Sequence, residues 1–195
     1  MVFNIFEVGL MQIWQKEVVE VLNSPIELAE IAMNIEKNGL AFYTALASKA
    51  QGEKVKEIFS FMAEEEKEHY TTFKKLKEKL IAYGVLEPLE EEYRDYVQEL
   101  VDSNVFSKDI DAAEQAAGLS DPVEAINLAL GFEKDSVIFF LQFRKAVPED
   151  EKFVVEELIA EENHHINRLL VMRKAIIETP EEFYQSHVKI GDAER

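Results

Sequence analysis

Two similar stretches of sequence decide the fold: AEEEKEH at residues 63–69 and IAEENHH at residues 159–165. Each contains the spacing Glu-x-x-His, which places a carboxylate and an imidazole one turn apart on the same face of a helix. Corresponding residues of the two stretches are 96 positions apart. The pairs are Glu66 with His69 in the first stretch and Glu162 with His165 in the second.

A second pair of similar stretches precedes these two. IEKNGLAFY at residues 35–43 aligns with FEKDSVIFF at residues 132–140, which matches Glu36 with Glu133 at an offset of 97. The sequence therefore contains an internal repeat. Duplication of a generic amphipathic hairpin would explain the shared apolar periodicity, but it would not explain why Glu and His are found at matching positions.

Helix starts and helix breakers divide the chain into long helices. Ser24-Pro25 and Asp121-Pro122 are each typical of a helix start, with a capping side chain before a proline in the first turn. Gly52, Gly84 and Pro148 separate or end the helical segments. These signals and the apolar period predict four helices, over residues 25–49, 53–83, 122–145 and 148–178.

The connections between the helices predict the topology. Two connections are short, so we expect each half to be an antiparallel hairpin. The middle connection, residues 84–121, is long enough to run the length of a bundle and has helical character at 93–101. The sequence therefore predicts an all-α four-helix bundle of two repeated antiparallel hairpins joined by a long crossover. We assign residues 24–178 to this bundle. Residues 1–23 form an N-terminal extension with an amphipathic helix at 5–22, and residues 179–195 form a C-terminal tail with a short terminal piece at 180–190.

Four glutamates lie within the apolar stripes that must face the bundle core. Their neighbours at three, four and seven residues are mainly apolar, and no Lys or Arg is among them. Burial of an unpaired carboxylate costs several kcal/mol, so cations from solution are the natural compensation. Four carboxylates and two imidazoles make a hard O/N site of ligand charge −4, which suits two Fe(II) or Mn(II) ions. The six candidate ligands are Glu36, Glu66, His69, Glu133, Glu162 and His165.

Composition excludes several classes of function. With 21 Lys and Arg against 39 Asp and Glu, the formal net charge is −18, which argues against nucleic acid and anionic membranes as partners. The sequence has no Cys, so disulfides, thiolate catalysis and iron–sulfur clusters are excluded. No targeting signal and no apolar run long enough to span a bilayer stands out. We therefore expect a cytoplasmic location.

The paired motifs EKNGLAFY with AEEEKEH, and EKDSVIFF with AEENHH, resemble the rubrerythrin branch of the ferritin-like superfamily over about residues 25–177. The resemblance implies a ferritin-like fold and a dinuclear iron centre held by the six candidate ligands, with manganese as a possible metal. It implies bridging by Glu66 and Glu133 or by their counterparts, and leaves open which. It also implies that Tyr43 touches a ligand carboxylate, a role that its counterpart Phe140 cannot share.

The implied activity is oxidation of Fe(II) to Fe(III) with reduction of hydrogen peroxide or dioxygen, in defence against oxidative stress. Ferroxidase activity for iron storage, a dimanganese catalase and a non-catalytic metal-binding bundle are the alternatives. Rubrerythrins proper carry a Cys-ligated iron site that feeds electrons to the centre. Because this sequence has no Cys, the resemblance implies an external electron donor, such as a rubredoxin-like protein.

Two further residues affect the composition of the predicted site. Ser136 stands where rubrerythrins carry an additional ligand glutamate, so the expected site is the smaller six-ligand set. His164 competes with His165 because Glu161 is three residues before it; Glu161 lies on a solvated face, which favours His165. A homodimer or higher homo-oligomer is expected by analogy with ferritin-like bundles.

Overall fold

The structure, a computed structural model, describes residues 24–85, 88–103 and 112–185. In these residues all regular structure is helical. The hairpins are formed by α1 (Pro25–Lys49) with α2 (Glu53–Tyr83), and by α5 (Pro122–Ala146) with α6 (Lys152–Glu178). Two shorter helices, α3 (Glu91–Ser103) and α4 (Ala112–Gly118), lie in the crossover, and α7 (Pro180–Gln185) follows α6. The predicted all-α bundle and its two hairpins are confirmed.

The helix ends have the caps that the sequence indicates. The side chain of Ser24 accepts a hydrogen bond from the backbone N–H of Glu27, and that of Asp121 accepts one from Val123. Gly84 ends α2 in the left-handed conformation, with φ of +66°, which a residue without a Cβ adopts at little cost. The start signals in the two halves therefore act in the same way, by satisfying N–H groups of the first turn.

The last long helix begins later than predicted. Residues Glu149–Glu151 form a 3-10 turn, in which the N–H of Glu151 donates to the carbonyl of Pro148 at 3.0 Å, and α6 begins only at Lys152. The turn buries the carboxylate of Glu151, which Lys79 reaches at 2.9 Å and the hydroxyl of Tyr83 reaches at 3.2 Å. The predicted start of this helix at Pro148 was therefore four residues too early, because the segment first forms a 3-10 turn, in which Glu151 is buried and paired with the half-exposed Lys79.

The bundle core is aromatic above and below the layer that contains the glutamates. Phe73 lies against Phe140 with ring centroids 4.8 Å apart, and Tyr43 stacks on Phe59 at 6.1 Å. In the crossover, α4 packs on α1, and the hydroxyl of Tyr93 in α3 donates to the carbonyl of Gln142 at 2.5 Å. The crossover thus packs along the side of both hairpins.

Parts of the sequence interpretation lie outside the described residues. These are the helix at 5–22 and the tail beyond residue 185. Among the described helices, none combines the length and apolar composition needed to cross a bilayer.

Removal of the cap on α5 should destabilise the bundle. We expect Asp121→Ala to lower the free energy of unfolding by about 1 kcal/mol, because the first turn of α5 loses a hydrogen-bond acceptor. Urea denaturation of the metal-free protein measures this loss, with Glu124→Ala as the control that leaves the cap in place. Equal midpoints for the two variants would contradict the assigned cap.

Candidate metal centre

The six candidate ligands converge in the core from four helices. Glu36 comes from α1 and Glu133 from α5, whereas α2 and α6 each contribute a glutamate and a histidine one turn apart. All six side chains are buried, with exposed fractions between 0% and 4%. The spacing of the two Glu-x-x-His segments therefore places both ligand pairs on the core face, as the sequence predicts.

The ligand atoms form two groups that overlap. One comprises Glu36, Glu66, His69 and Glu162, the other Glu66, Glu133, Glu162 and His165, and within each group the atoms lie within 4.8 Å of one another. Glu66 and Glu162 belong to both groups, whereas Glu36 and Glu133 belong to one each. Glu66 and Glu162 are therefore the two carboxylates that lie near both groups of ligand atoms.

Several buried ligand atoms have lone pairs that are available to bind cations. Both oxygens of Glu36, one oxygen of Glu162 and the Nδ1 atoms of His69 and His165 are buried without a well-aligned hydrogen bond, although Nδ1 of His69 lies 2.9 Å from Glu162. Nδ1 of His165 lies 3.3 Å from an oxygen of Glu66 and 3.4 Å from one of Glu133, out of hydrogen-bonding geometry. Buried polar atoms are rarely left unsatisfied. Carboxylate oxygens and imidazole nitrogens facing one another across such a space are the ligand set of iron and manganese.

Two glutamates outside the candidate set orient the histidines. Nε2 of His69 lies 2.9 Å from Glu161, and Nε2 of His165 lies 3.0 Å from Glu65. Each contact joins α2 to α6 and turns the Nδ1 atom toward the centre, the arrangement in which an outer carboxylate fixes the tautomer of a metal-binding histidine. Sequence reasoning missed both residues, although the repeat aligns Glu65 with Glu161 at the offset of 96.

The interpretation of Glu161 as a solvated residue was therefore incomplete. Its side chain is half exposed, but one of its oxygens contacts the buried His69. The structure places His165 in the cluster, fully buried, and leaves His164 exposed. Preference for His165 over His164 thus agrees with the geometry.

Burial and mutual repulsion keep protons in the centre when no metal is bound. Burial raises the pKa of Glu36 and of Glu66, and it raises that of Glu133 to about 8. Burial also acts against ionisation of Glu162, but contacts with Glu133 and the two imidazoles outweigh it and lower its pKa. Burial opposes protonation of both histidines as well, yet the carboxylates around them raise their pKa values. Metal ions would therefore displace protons from this cluster.

Tyr43 contacts one of the predicted ligands. Its hydroxyl donates a hydrogen bond to Glu133 across the gap between α1 and α5. Burial raises the pKa of Tyr43 well above its usual value, so the phenol remains a hydrogen-bond donor. Its counterpart Phe140 is buried among aromatic rings and offers no donor. Only one of the two equivalent carboxylates, Glu133 and Glu36, therefore receives a tyrosine hydrogen bond.

A glycine makes room for a shared carboxylate. A Cβ added at Gly39 would lie 2.8 Å from Oε2 of Glu66 and 2.9 Å from its Cδ. Its counterpart in the repeat, Ser136, donates to the carbonyl of Phe132 in its own helix. Both residues line a cavity of about 10 Å³ next to Tyr43, Glu66 and Glu133, enough for about one water molecule.

The comparisons with known proteins agree with this architecture. A crystal structure from Thermotoga maritima, named for a ferritin-like diiron-carboxylate protein, matches with a TM-score of 0.62 at 23% identity, over 77% of this chain and 95% of that one. This structure therefore belongs to the class of helical bundles with a ferritin-like fold. The sequence model of the Rubrerythrin family matches residues 27–173, and the chain belongs to that family. No curated protein matches the sequence significantly.

We expect Gly39→Ala to weaken metal binding at least tenfold. Alanine normally stabilises a helix interior by up to about 1 kcal/mol relative to glycine, but here its methyl group would displace Glu66. Anaerobic Co(II) titration measures the affinity. Gly131→Ala in α5 is the matched control, because an added Cβ there meets nothing within 4 Å. Equal affinity in the two variants would show that Gly39 does not position Glu66.

The stability of the metal-free protein should fall as the pH rises. The pKa of Glu133 is raised from 4.5 to about 8 in the folded state, so its contribution is complete below about pH 4.5 and is lost as the pH rises through about 8. Glu133→Gln keeps a neutral side chain and should flatten the curve of melting temperature against pH between 5 and 9. Circular dichroism measures this, with the exposed Glu57→Gln as control. Parallel curves for the two variants would contradict the assignment.

Proposed function

We propose that this chain holds two iron ions between α1, α2, α5 and α6, and that it reduces hydrogen peroxide or dioxygen with electrons from an external donor. The terminal ligands would be Glu36 with His69 on one side and Glu133 with His165 on the other. The two shared carboxylates, Glu66 and Glu162, would bridge. Manganese could occupy the same ligands.

The overlap of the two ligand groups is the observation that carries this proposal. Six buried side chains arranged as two overlapping groups of four, with two shared carboxylates, suit a pair of ions better than a single ion. Four ionised carboxylates supply a charge of −4, which two divalent ions balance. When bound, such ions supply one electron each, so that one hydrogen peroxide and two protons give two water molecules while two Fe(II) become two Fe(III).

The chain's own residues hold the ligands in place for this reaction. Glu65 and Glu161 fix the two imidazoles through Nε2, and Tyr43 holds Glu133 by a hydrogen bond. The aromatic core excludes bulk water from the ligand layer. Because the carboxylates hold protons in the metal-free state, they are also groups through which protons can be exchanged near the centre.

The small cavity supports an oxidant of one or two heavy atoms. It is lined by Gly39, Tyr43, Glu66, Glu133 and Ser136 together with apolar side chains, and its volume of about 10 Å³ is that of one water position. Hydrogen peroxide and dioxygen are the oxidants close to this size. An organic substrate would not fit beside the carboxylates without displacement of α1 or α5.

The central test removes both shared carboxylates. We expect the wild-type chain to retain about two irons after anaerobic loading and desalting, and Glu66→Ala with Glu162→Ala to retain none at unchanged helix content. Plasma mass spectrometry measures the iron and circular dichroism the helix content. Unchanged iron content in the double variant would refute the assigned centre.

A second measurement separates the candidate reactions. The reduced, iron-loaded protein is mixed with hydrogen peroxide or with dioxygen, and formation of Fe(III) is followed by absorbance. We expect faster oxidation by peroxide if defence against oxidative stress is the role. Under excess Fe(II) and air, retention of many irons per chain would instead support storage by a ferroxidase.

A further inference from the structure

We propose that divalent cations reach the dinuclear centre through one side of the groove between α2 and α6, past Glu157 and Glu161, while the equivalent side at Glu65 is closed by Phe61 and Arg168. The inference rests on the proposed metal centre and concerns how the metal arrives there.

The outer carboxylates connect the buried ligands with solvent. The ligands themselves are at most 4% exposed, but each histidine contacts a glutamate on the surface of the groove. Glu161, which contacts His69, has 52% of its side chain exposed, whereas Glu65, which contacts His165, has 28%. The repeat therefore produces two chemically equivalent access points that differ in exposure.

The Glu65 side is covered by a cation and an aromatic ring. The guanidinium of Arg168 lies 4.3 Å from the centre of the Phe61 ring, a cation–π contact that joins α6 to α2. Phe61 is one turn before Glu65, and Arg168 is three residues after His165. The positive charge of Arg168 would repel an approaching cation, and Phe61, although 36% exposed, lies on the same helix face as Glu65 and would hinder its approach.

The Glu161 side carries different residues at the corresponding positions. At the offset of 96, the counterpart of Phe61 is Glu157 and that of Arg168 is Thr72. The hydroxyl of Thr72 donates to the carbonyl of Glu68 in its own helix. Glu157 is exposed and lies one turn before Glu161 on the same face. An aromatic–cation cover on one side is thus replaced by a carboxylate and a small hydroxyl on the other.

The residues next to Glu161 in the core are ligands of the proposed centre. His69 contacts Glu161 through Nε2, and its Nδ1 atom faces the centre, 2.9 Å from an oxygen of Glu162 but without a well-aligned hydrogen bond. Both oxygens of Glu36, which lies 3.5 Å from that nitrogen, are also unpartnered. Charge attraction at Glu157 and Glu161 would raise the local concentration of cations, and His69, a ligand of the proposed centre, lies next to Glu161.

Exchange of the covers tests the route. Anaerobic stopped-flow mixing with Co(II) measures the rate of metal uptake through the visible absorption of the bound ion. Thr72→Arg with Glu157→Phe installs the cover on the open side, and we expect uptake at least tenfold slower with the same number of ions bound at equilibrium. Phe61→Glu with Arg168→Thr removes the existing cover and should leave uptake equal or faster.

A single substitution tests the same route without added bulk. Glu157→Gln should slow uptake by about twofold to fivefold at low ionic strength, with less effect at high salt. Release should slow by the same factor, so that the dissociation constant is unchanged. Glu57→Gln, an exposed glutamate of α2 with the same change of charge, should have no such effect.

Two results would overturn the route: equal uptake rates in Glu157→Gln and Glu57→Gln, or slower uptake when the Phe61–Arg168 cover is removed. Neither result affects the assignment of the centre, provided that wild-type protein binds cobalt. Failure of the wild-type chain to bind any cobalt would instead refute the proposed function.

Discussion

Four carboxylates share one apolar layer of the bundle, and the rest of the structure depends on how their charge is balanced. Glu36, Glu66, Glu133 and Glu162 lie together among aromatic and aliphatic side chains. In such surroundings they cannot all be ionised without positive charge nearby. Protons satisfy this requirement in the metal-free protein, and two divalent ions would satisfy it in the loaded one. Folding and cation binding are therefore linked through the same atoms.

The side chains around this layer position the candidate ligands as well as filling the core. Gly39 leaves space that an alanine would fill, the Tyr43 hydroxyl fixes one carboxylate, and two half-buried or exposed glutamates fix the imidazoles from outside. Because both imidazole contacts run between α2 and α6, the hairpins are joined across the centre itself. The side chains that support the ligands also join the two repeats to each other.

Much of this architecture could be predicted from the sequence, because the internal repeat allows each predicted helix and ligand in one half to be compared with its counterpart in the other half. The helices, the hairpins and the six clustered side chains follow from periodicity and from Glu and His at matching positions. The two glutamates that belong to both ligand groups could not be predicted, since this depends on the depth and rotamer of each side chain. The roles of Glu65 and Glu161 were missed because their contacts cross between helices. The later start of α6 was missed because the buried Glu151 pairs with Lys79 of another helix, a contact that the local sequence does not indicate.

The asymmetry between Tyr43 and Phe140 has a consequence for the history of such a bundle. Two separate copies of one hairpin, paired about a twofold axis, would carry the same residue at both positions. Joining the copies in one chain allows each position to mutate alone, so that a tyrosine can be kept on one side and an aromatic core residue on the other. The presence of both hairpins in one chain does more than fix the stoichiometry of two halves. It allows the two equivalent positions to be chemically different.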